Sequence, residues 1–127
     1  MTGAKRYLEI IISKNYTEHR PWGTFTILEG GDGYKVKRLT VNPGQRTSLQ
    51  FHKRRSEHWV VAQGAATVIL GKETKTVSRN EYIYIPLGKE HLIENKGEIV
   101  IQLIEVQIGD YLEEDDIVRL EDKYGRI

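Results

Sequence analysis

The sequence predicts an all-β domain, a single sandwich or barrel of antiparallel strands, and three observations carry that expectation. Beyond Ala4 the chain falls into short runs rich in β-branched and aromatic residues. Glycine, proline and asparagine break those runs roughly every 8 to 12 residues, which suits a sandwich or barrel better than a βαβ repeat. No helical periodicity persists for more than a few residues until the tail. At 127 residues and 14.7 kDa there is room for one core and not for a second domain.

The first candidate strand is Tyr7 to Ser13. Its run Leu8-Glu9-Ile10-Ile11-Ile12 is apolar enough to need a cover, and pairing with the sheet of a second subunit, giving a homodimer, is the expected one. The polar stretch Lys14 to Arg20 follows, so residues 1–19 read as an N-terminal strand and connector and residues 20–127 as the domain. Gly23 to Leu28 is closed by the turn Gly30-Gly31-Asp32-Gly33, and Tyr34 to Val41 by Asn42-Pro43-Gly44. On the second of these, Lys35, Lys37, Leu39 and Val41 share a face, which points Lys37 into the barrel beside an apolar floor. Glu57 to Gln63 and Ala65 to Leu70 flank Gly64; Gly71 precedes Glu73 to Val77, and Asn80 precedes Tyr82 to Ile85. Pro86-Leu87-Gly88 leads into His91 to Glu94, and Asn95-Lys96-Gly97 into Ile99 to Gln107, where Leu103, Glu105 and Gln107 share a face. In the tail, Glu113-Glu114-Asp115-Asp116 ahead of Ile117-Val118 predicts a short C-terminal helix or turn beginning near Asp115, its acidic side chains a solvated cap.

Composition removes several function classes. Nineteen lysines and arginines balance eighteen aspartates and glutamates, so phosphate-backbone attraction is not the purpose and no nucleic-acid partner is expected. No cysteine is present, which excludes disulfides, thiolate metal sites and a cysteine nucleophile. The longest apolar runs are a few residues against the roughly 20 a spanning helix needs, and the N-terminus lacks an export signal, so the chain is expected to be soluble, cytoplasmic and without a membrane partner.

Chemistry concentrates in two stretches. Gln50 and His52 lie two apart, on the same side of an extended segment, and Glu57 opens the next strand; His91 follows a proline-glycine turn. A histidine taken singly is more often structural than ligating. Two imidazoles, a carboxylate and an amide oxygen converging inside a barrel would hold one divalent ion with coordination positions left for substrate. The mixed nitrogen and oxygen set suits zinc first, with cobalt, manganese or iron as alternatives.

The spacing Gly44-x5-Gln50-x-His52-x4-Glu57-x6-Gly64, followed by Asn80-x5-Pro86-x-Gly88-x2-His91-x3-Asn95, resembles the two motifs of the cupin superfamily. Gln50 stands where many cupins have a histidine and Asn80 where they usually have glycine. The segments Arg20-Pro21-Trp22-Gly23, Tyr34 to Leu39, Arg55 to Val61, Ile104 to Gln107, and Tyr111 through Tyr124-Gly125-Arg126 narrow the resemblance to the type II mannose-6-phosphate isomerases. In that family the cupin is normally the C-terminal domain of a protein that also carries a mannose-1-phosphate guanylyltransferase domain. The resemblance implies a jelly-roll (double-stranded β-helix) cupin and the metal set Gln50, His52, Glu57 and His91. Lys53 and Arg54 stand where members often have further histidines, so the sugar contacts at that corner are expected to differ.

The implied reaction interconverts mannose 6-phosphate and fructose 6-phosphate through an enediolate, a metal-dependent aldose-ketose isomerisation. No glycine-rich nucleotide-binding loop occurs in these residues, so guanylyltransferase activity is not expected. Lys37, Arg55 and Arg126 are the candidate substrate-binding cations, and Arg126 offers a planar fork for phosphate or sugar hydroxyls. Glu105 is the candidate base and is grouped with Arg126 as catalytic, because an apolar setting would raise its pKa. His58 alternates with Glu57 and should face outward, Trp59 and Tyr84 should build core, and Trp22 suits either core or sugar stacking. The alternatives are a non-catalytic sugar-phosphate-binding or regulatory cupin module, and another cupin enzyme, an epimerase or dioxygenase.

Overall fold

The computed structural model describes residues 16–127, and the Tyr7 to Ser13 strand with the subunit contact expected of it lies outside that span. The described residues form eleven antiparallel strands: β1 Thr17–Arg20, β2 Gly23–Gly31, β3 Tyr34–Val41, β4 Leu49–Phe51, β5 Arg55–Gln63, β6 Ala65–Leu70, β7 Glu73–Ser78, β8 Tyr82–Ile85, β9 His91–Glu94, β10 Ile101–Gly109 and β11 Val118–Glu121. They make two facing sheets, ordered β1-β2-β3-β10-β5-β8 and β11-β4-β9-β6-β7, the arrangement of a jelly roll. No helix occurs among the described residues, so none is long and apolar enough to cross a membrane.

Period-2 alternation explains the long strands, since β3, β5 and β10 each bury every second residue. β1, β4 and β11 were not expected. Each is three or four residues long and mostly polar or half-buried, so its place comes from the ladder beside it rather than its own pattern. In the tail the turn alternative holds, at Glu114–Asp115; no helix forms, and the chain goes on into β11, which pairs with β4. Asn80 lies at φ 75°, a left-handed position that asparagine tolerates better than other side chains, which accounts for its standing where the motif usually has glycine.

The inner face of the larger sheet changes character along its strands. On β3 the inward residues run Val41, Leu39, Lys37, Lys35; on β10, Ile101, Leu103, Glu105, Gln107; on β5, Val61, Trp59, Glu57, Arg55. Register sets like against like, with Val41 beside Ile101, Leu39 beside Leu103, and Lys37 beside Glu105. On the other flank Leu103 pairs with Val61 and Gln107 with Glu57. One end of the barrel is therefore a dry core completed by Val68, Ile85 and Ile93, and the other is a buried polar cup.

Candidate active site

The polar cup collects the residues expected to hold a metal. Glu57 comes from β5, His91 from the start of β9, and His52 from the turn after β4; all three are buried, and ligand-type atoms from the three lie within 4.8 Å of one another. His52 Nε2 is 3.2 Å from Glu57 Oε2 and His91 Nε2 is 4.0 Å from Glu57 Oε1. Both imidazoles make their Nδ1 contact with a backbone carbonyl, His52 with Asp116 at 2.6 Å and His91 with Lys89 at 2.9 Å. A carbonyl only accepts, so Nδ1 carries the proton and Nε2 is a bare lone pair in each ring. That is the tautomer a metal-binding histidine needs.

The donor set fits a cation. His91 Nε2 is buried without any hydrogen-bond partner, and the His52 Nε2 and Glu57 Oε2 lone pairs face each other at 3.2 Å with the Arg55 guanidinium donating to both, so the donors converge where positive charge is favoured. Burial, with Arg55 and His91 nearby, pushes His52 down to about 4, and burial lowers His91 as well, so both rings are neutral at physiological pH. Gln50 faces His91 across the β4–β9 ladder and lines the same cavity, its Oε1 accepting from Ser48 Oγ at 3.1 Å.

Glu105 enters the cavity as expected. Burial, reinforced by the charge and hydrogen bond of the Glu57 carboxyl, pushes it up to about 7, while Lys37 and Arg55 pull the other way. Its oxygens are held by Trp59 Nε1 at 3.0 Å and Gln107 Nε2 at 2.9 Å, and the same indole N–H lies 3.0 Å from Glu57 Oε1. Trp59 is thus core, and also the link between the two carboxyl groups.

Cations ring the carboxylates. Arg55 donates from Nε to Glu57 Oε2 at 2.8 Å and from Nη2 to His52 Nε2 at 3.3 Å, which leaves its buried Nη1 unpaired. Lys37, buried and 4.0 Å above the Phe25 ring, donates to Glu114 Oε1 at 2.7 Å; Lys35 donates to Glu114 Oε2 at 3.1 Å and to the Leu112 carbonyl. Burial opposes the charge on Glu114, yet Lys37 and Lys35 hold that carboxyl down to about 2. Arg126 lines the cavity with its fork spent on Asp122, at 2.8 Å from both Nε and Nη2.

Several expectations need correction. Glu114 and Asp116 are no solvated cap: the first bridges two buried lysines and the second is itself buried. The acidic run could not show this because the partners lie more than 60 positions upstream. Tyr84 is 46 % exposed and packs on outward-facing His58 at 4.8 Å, so it is not core; β8 shows its alternate face to solvent. The Lys53 and Arg54 side chains are exposed, Arg54 pairing with Asp110 at 3.1 Å, and do not enter the cup. Trp22 is buried and lines the cavity.

Arg119 and Arg20 were missed and also line the cavity. Arg119 lies opposite Gln50 in the β4–β11 ladder, with a buried Nε that has no partner. The alternation Val118-Arg119-Leu120 held a signal for it only once β11 was known to be a strand.

Comparison with known proteins agrees with this geometry. The family described as mannose-6-phosphate isomerase C-terminal matches residues 10–122. Relatives include the mannose-1-phosphate guanylyltransferase ManC of Salmonella typhimurium, 53 % identical over 109 residues, which cover 86 % of this chain and 23 % of that protein. The xanthan biosynthesis protein XanB of Xanthomonas campestris is 50 % identical over 108 residues, covering 85 % and 23 %. The chain spans about a quarter of the length of these relatives. Among solved structures, the oxalate decarboxylase of Bacillus subtilis superposes with a TM-score of 0.76 at 18 % identity, covering 86 % of this chain and 31 % of that one, which establishes the cupin fold and nothing about activity. On the match across residues 10–122, the chain belongs to the mannose-6-phosphate isomerase C-terminal family.

Proposed function

We propose that the chain is a cytoplasmic, metal-dependent aldose-ketose isomerase that interconverts mannose 6-phosphate and fructose 6-phosphate. The observation that supports it is one cup holding Glu105, a carboxyl whose pKa is pushed up to about 7, beside the clustered donors of His52, Glu57 and His91, of which His91 Nε2 has no partner. His52, Glu57 and His91, with Gln50 as a fourth ligand, would hold a divalent ion, which would supply Lewis-acid chemistry; zinc, cobalt, manganese and iron all suit the donors. Glu105 takes the proton from carbon 2 and returns it to carbon 1, while the hydroxyl proton of oxygen 2 passes to oxygen 1, and a base titrating near the working pH can both accept and return the carbon-bound proton. The Trp59 and Gln107 donors aim its oxygens.

Phosphate recognition falls to Lys37, Arg55 Nη1 and Arg119, with Arg126 at the rim. Around the cup, Lys35, Lys37, Arg55 and Arg119 outnumber Glu57 and Glu114, while Glu105 titrates at about 7, so the cup carries a positive surplus, to which a divalent cation would add, suited to a phosphate monoester dianion of about −1.5 to −2 at neutral pH.

The test is formation of fructose 6-phosphate from mannose 6-phosphate in a coupled assay, with and without chelator. Activity lost to chelator and restored by a divalent cation supports the proposal; oxygen uptake would point to a dioxygenase. A second reading, a sugar-phosphate-binding or regulatory module, draws support from relatives named as guanylyltransferases of which this chain spans a quarter. Binding of mannose 6-phosphate without turnover under any metal would favour it.

A further inference from the structure

The segment from Asp110 to Ile117 crosses the open end of the cup with little structure of its own: a turn at Glu114–Asp115 and one backbone bond, Asp116 N–H to the Glu113 carbonyl at 3.3 Å. At its centre Asp116 is buried. One carboxylate oxygen accepts the Lys53 N–H at 2.9 Å and the other the Arg54 N–H at 3.0 Å, while its backbone carbonyl takes His52 Nδ1 at 2.6 Å. A single residue therefore grips both the imidazole ring and the two peptides that follow it. Beside these bonds the turn is held by the His52 carbonyl, which accepts from Gly88 N–H at 2.9 Å, and by the exposed Arg54 side chain, which pairs with Asp110 at 3.1 Å.

We propose that Asp116 is the positioning residue of the metal centre and makes this C-terminal strap a conditional part of it. The inference rests on His52, Glu57 and His91 being metal ligands. With the carboxylate on the Lys53 and Arg54 amides, the ring is held with Nε2 toward Glu57 and His91; without it, the turn and the ring are free to move. Coupling of two binding events is reciprocal, so a cation that fixes His52 also closes the strap by the same factor. The effect comes through the backbone amides of residues 53 and 54, whose side chains are exposed.

The test uses the whole chain. Cation affinity is measured by chelator competition with Zn2+ and by titration with Co2+, whose d–d absorption reports ligand geometry. Losing a group that orients a ligand typically weakens metal binding roughly 10- to 100-fold. Asp116→Asn, which opposes an NH2 to one of the two amides, is expected to show that loss and an altered Co2+ spectrum. Asp110→Asn, which removes the same charge from the strap but touches only the Arg54 side chain, is expected to bind as wild type does. In the unaltered protein, hydrogen exchange at the Lys53 and Arg54 amides should slow on adding Zn2+, a measurement that needs no variant to fold. A wild-type chain that takes up no cation overturns the ligand assignment and this inference together. A wild type that binds, with Asp116→Asn binding equally well or exchange at residues 53 and 54 indifferent to Zn2+, overturns the role of Asp116 alone.

Discussion

Glu105→Gln should make the protein both inactive and more stable. Shifting a buried carboxyl from 4.5 to about 7 disfavours its ionised form by roughly 3 kcal/mol, at about 1.4 kcal/mol per pH unit. The folded chain holds more protons than the unfolded chain between those values, so this residue's contribution to stability falls as pH rises through them and stays lost above about 7. Glutamine mimics the protonated acid, accepting from Trp59 and donating to Glu57 once the Gln107 amide turns its unpartnered Oε1 toward it, and has no such dependence. The stability difference between variant and wild type should be near zero below pH 4.5 and reach roughly 3 kcal/mol at pH 8, about 10 °C in melting temperature for a chain of this size. His52 and His91, held below their ordinary value by burial, contribute the opposite trend in both proteins; the Glu105 charge, a lesser cause that raises both, is absent from the variant, so their trend is slightly stronger there. The assay is thermal unfolding at several pH values with chelator present. A variant melting at or below the wild type at pH 8, or an offset unchanged between pH 4.5 and 8, would refute the argument. In the coupled assay the same variant should lose roughly 10²- to 10⁴-fold in kcat with KM little altered.

His91→Ala removes a buried ligand atom that nothing else in the protein uses, so saturating Zn2+ should no longer raise the melting temperature, as thermal scans with and without the ion will show. Arg119→Ala, which deletes an unpaired buried donor at the cavity wall, should raise KM for mannose 6-phosphate roughly tenfold or more with kcat nearly intact, read from initial rates over a substrate series. Gly109→Ala would place a Cβ 2.2 Å from the Arg54 carbonyl oxygen, beside the turn that carries His52; denaturant unfolding should show a loss of roughly 1 to 3 kcal/mol or more.

What could be read from the chain followed the range of the interactions involved. Tyr34–Val41, Ala65–Leu70, Tyr82–Ile85 and His91–Glu94 form strands with the bounds expected of them, because alternation and turn residues are local signals. His52, Glu57 and His91 were legible through motif spacing, and Lys37 and Glu105 through the parity of neighbours on one strand. Glu114, Asp116 and Arg119 were not. Their partners, Lys35, Lys37, the Lys53 and Arg54 amides and Gln50, lie more than 60 positions away, and nothing local distinguishes a carboxylate that will cap two amides from one that will meet water. β1, β4 and β11 escaped for a related reason, since a short half-polar run becomes a strand only when its neighbour offers a free edge.

The lengthwise change from aliphatic to charged side chains on β3, β5 and β10 bears on how the barrel finds its pairing. A slip of one residue turns every side chain to the wrong face, but a slip of two preserves the in-and-out pattern and would go unpunished in a uniformly greasy lining. Here it would set Glu105 or Lys37 beside a leucine and break the pairing of the two. The polar residues of the cup therefore also act as a key for strand alignment. Replacing all of them with aliphatic side chains should yield a chain that still collapses but no longer chooses a single set of neighbours.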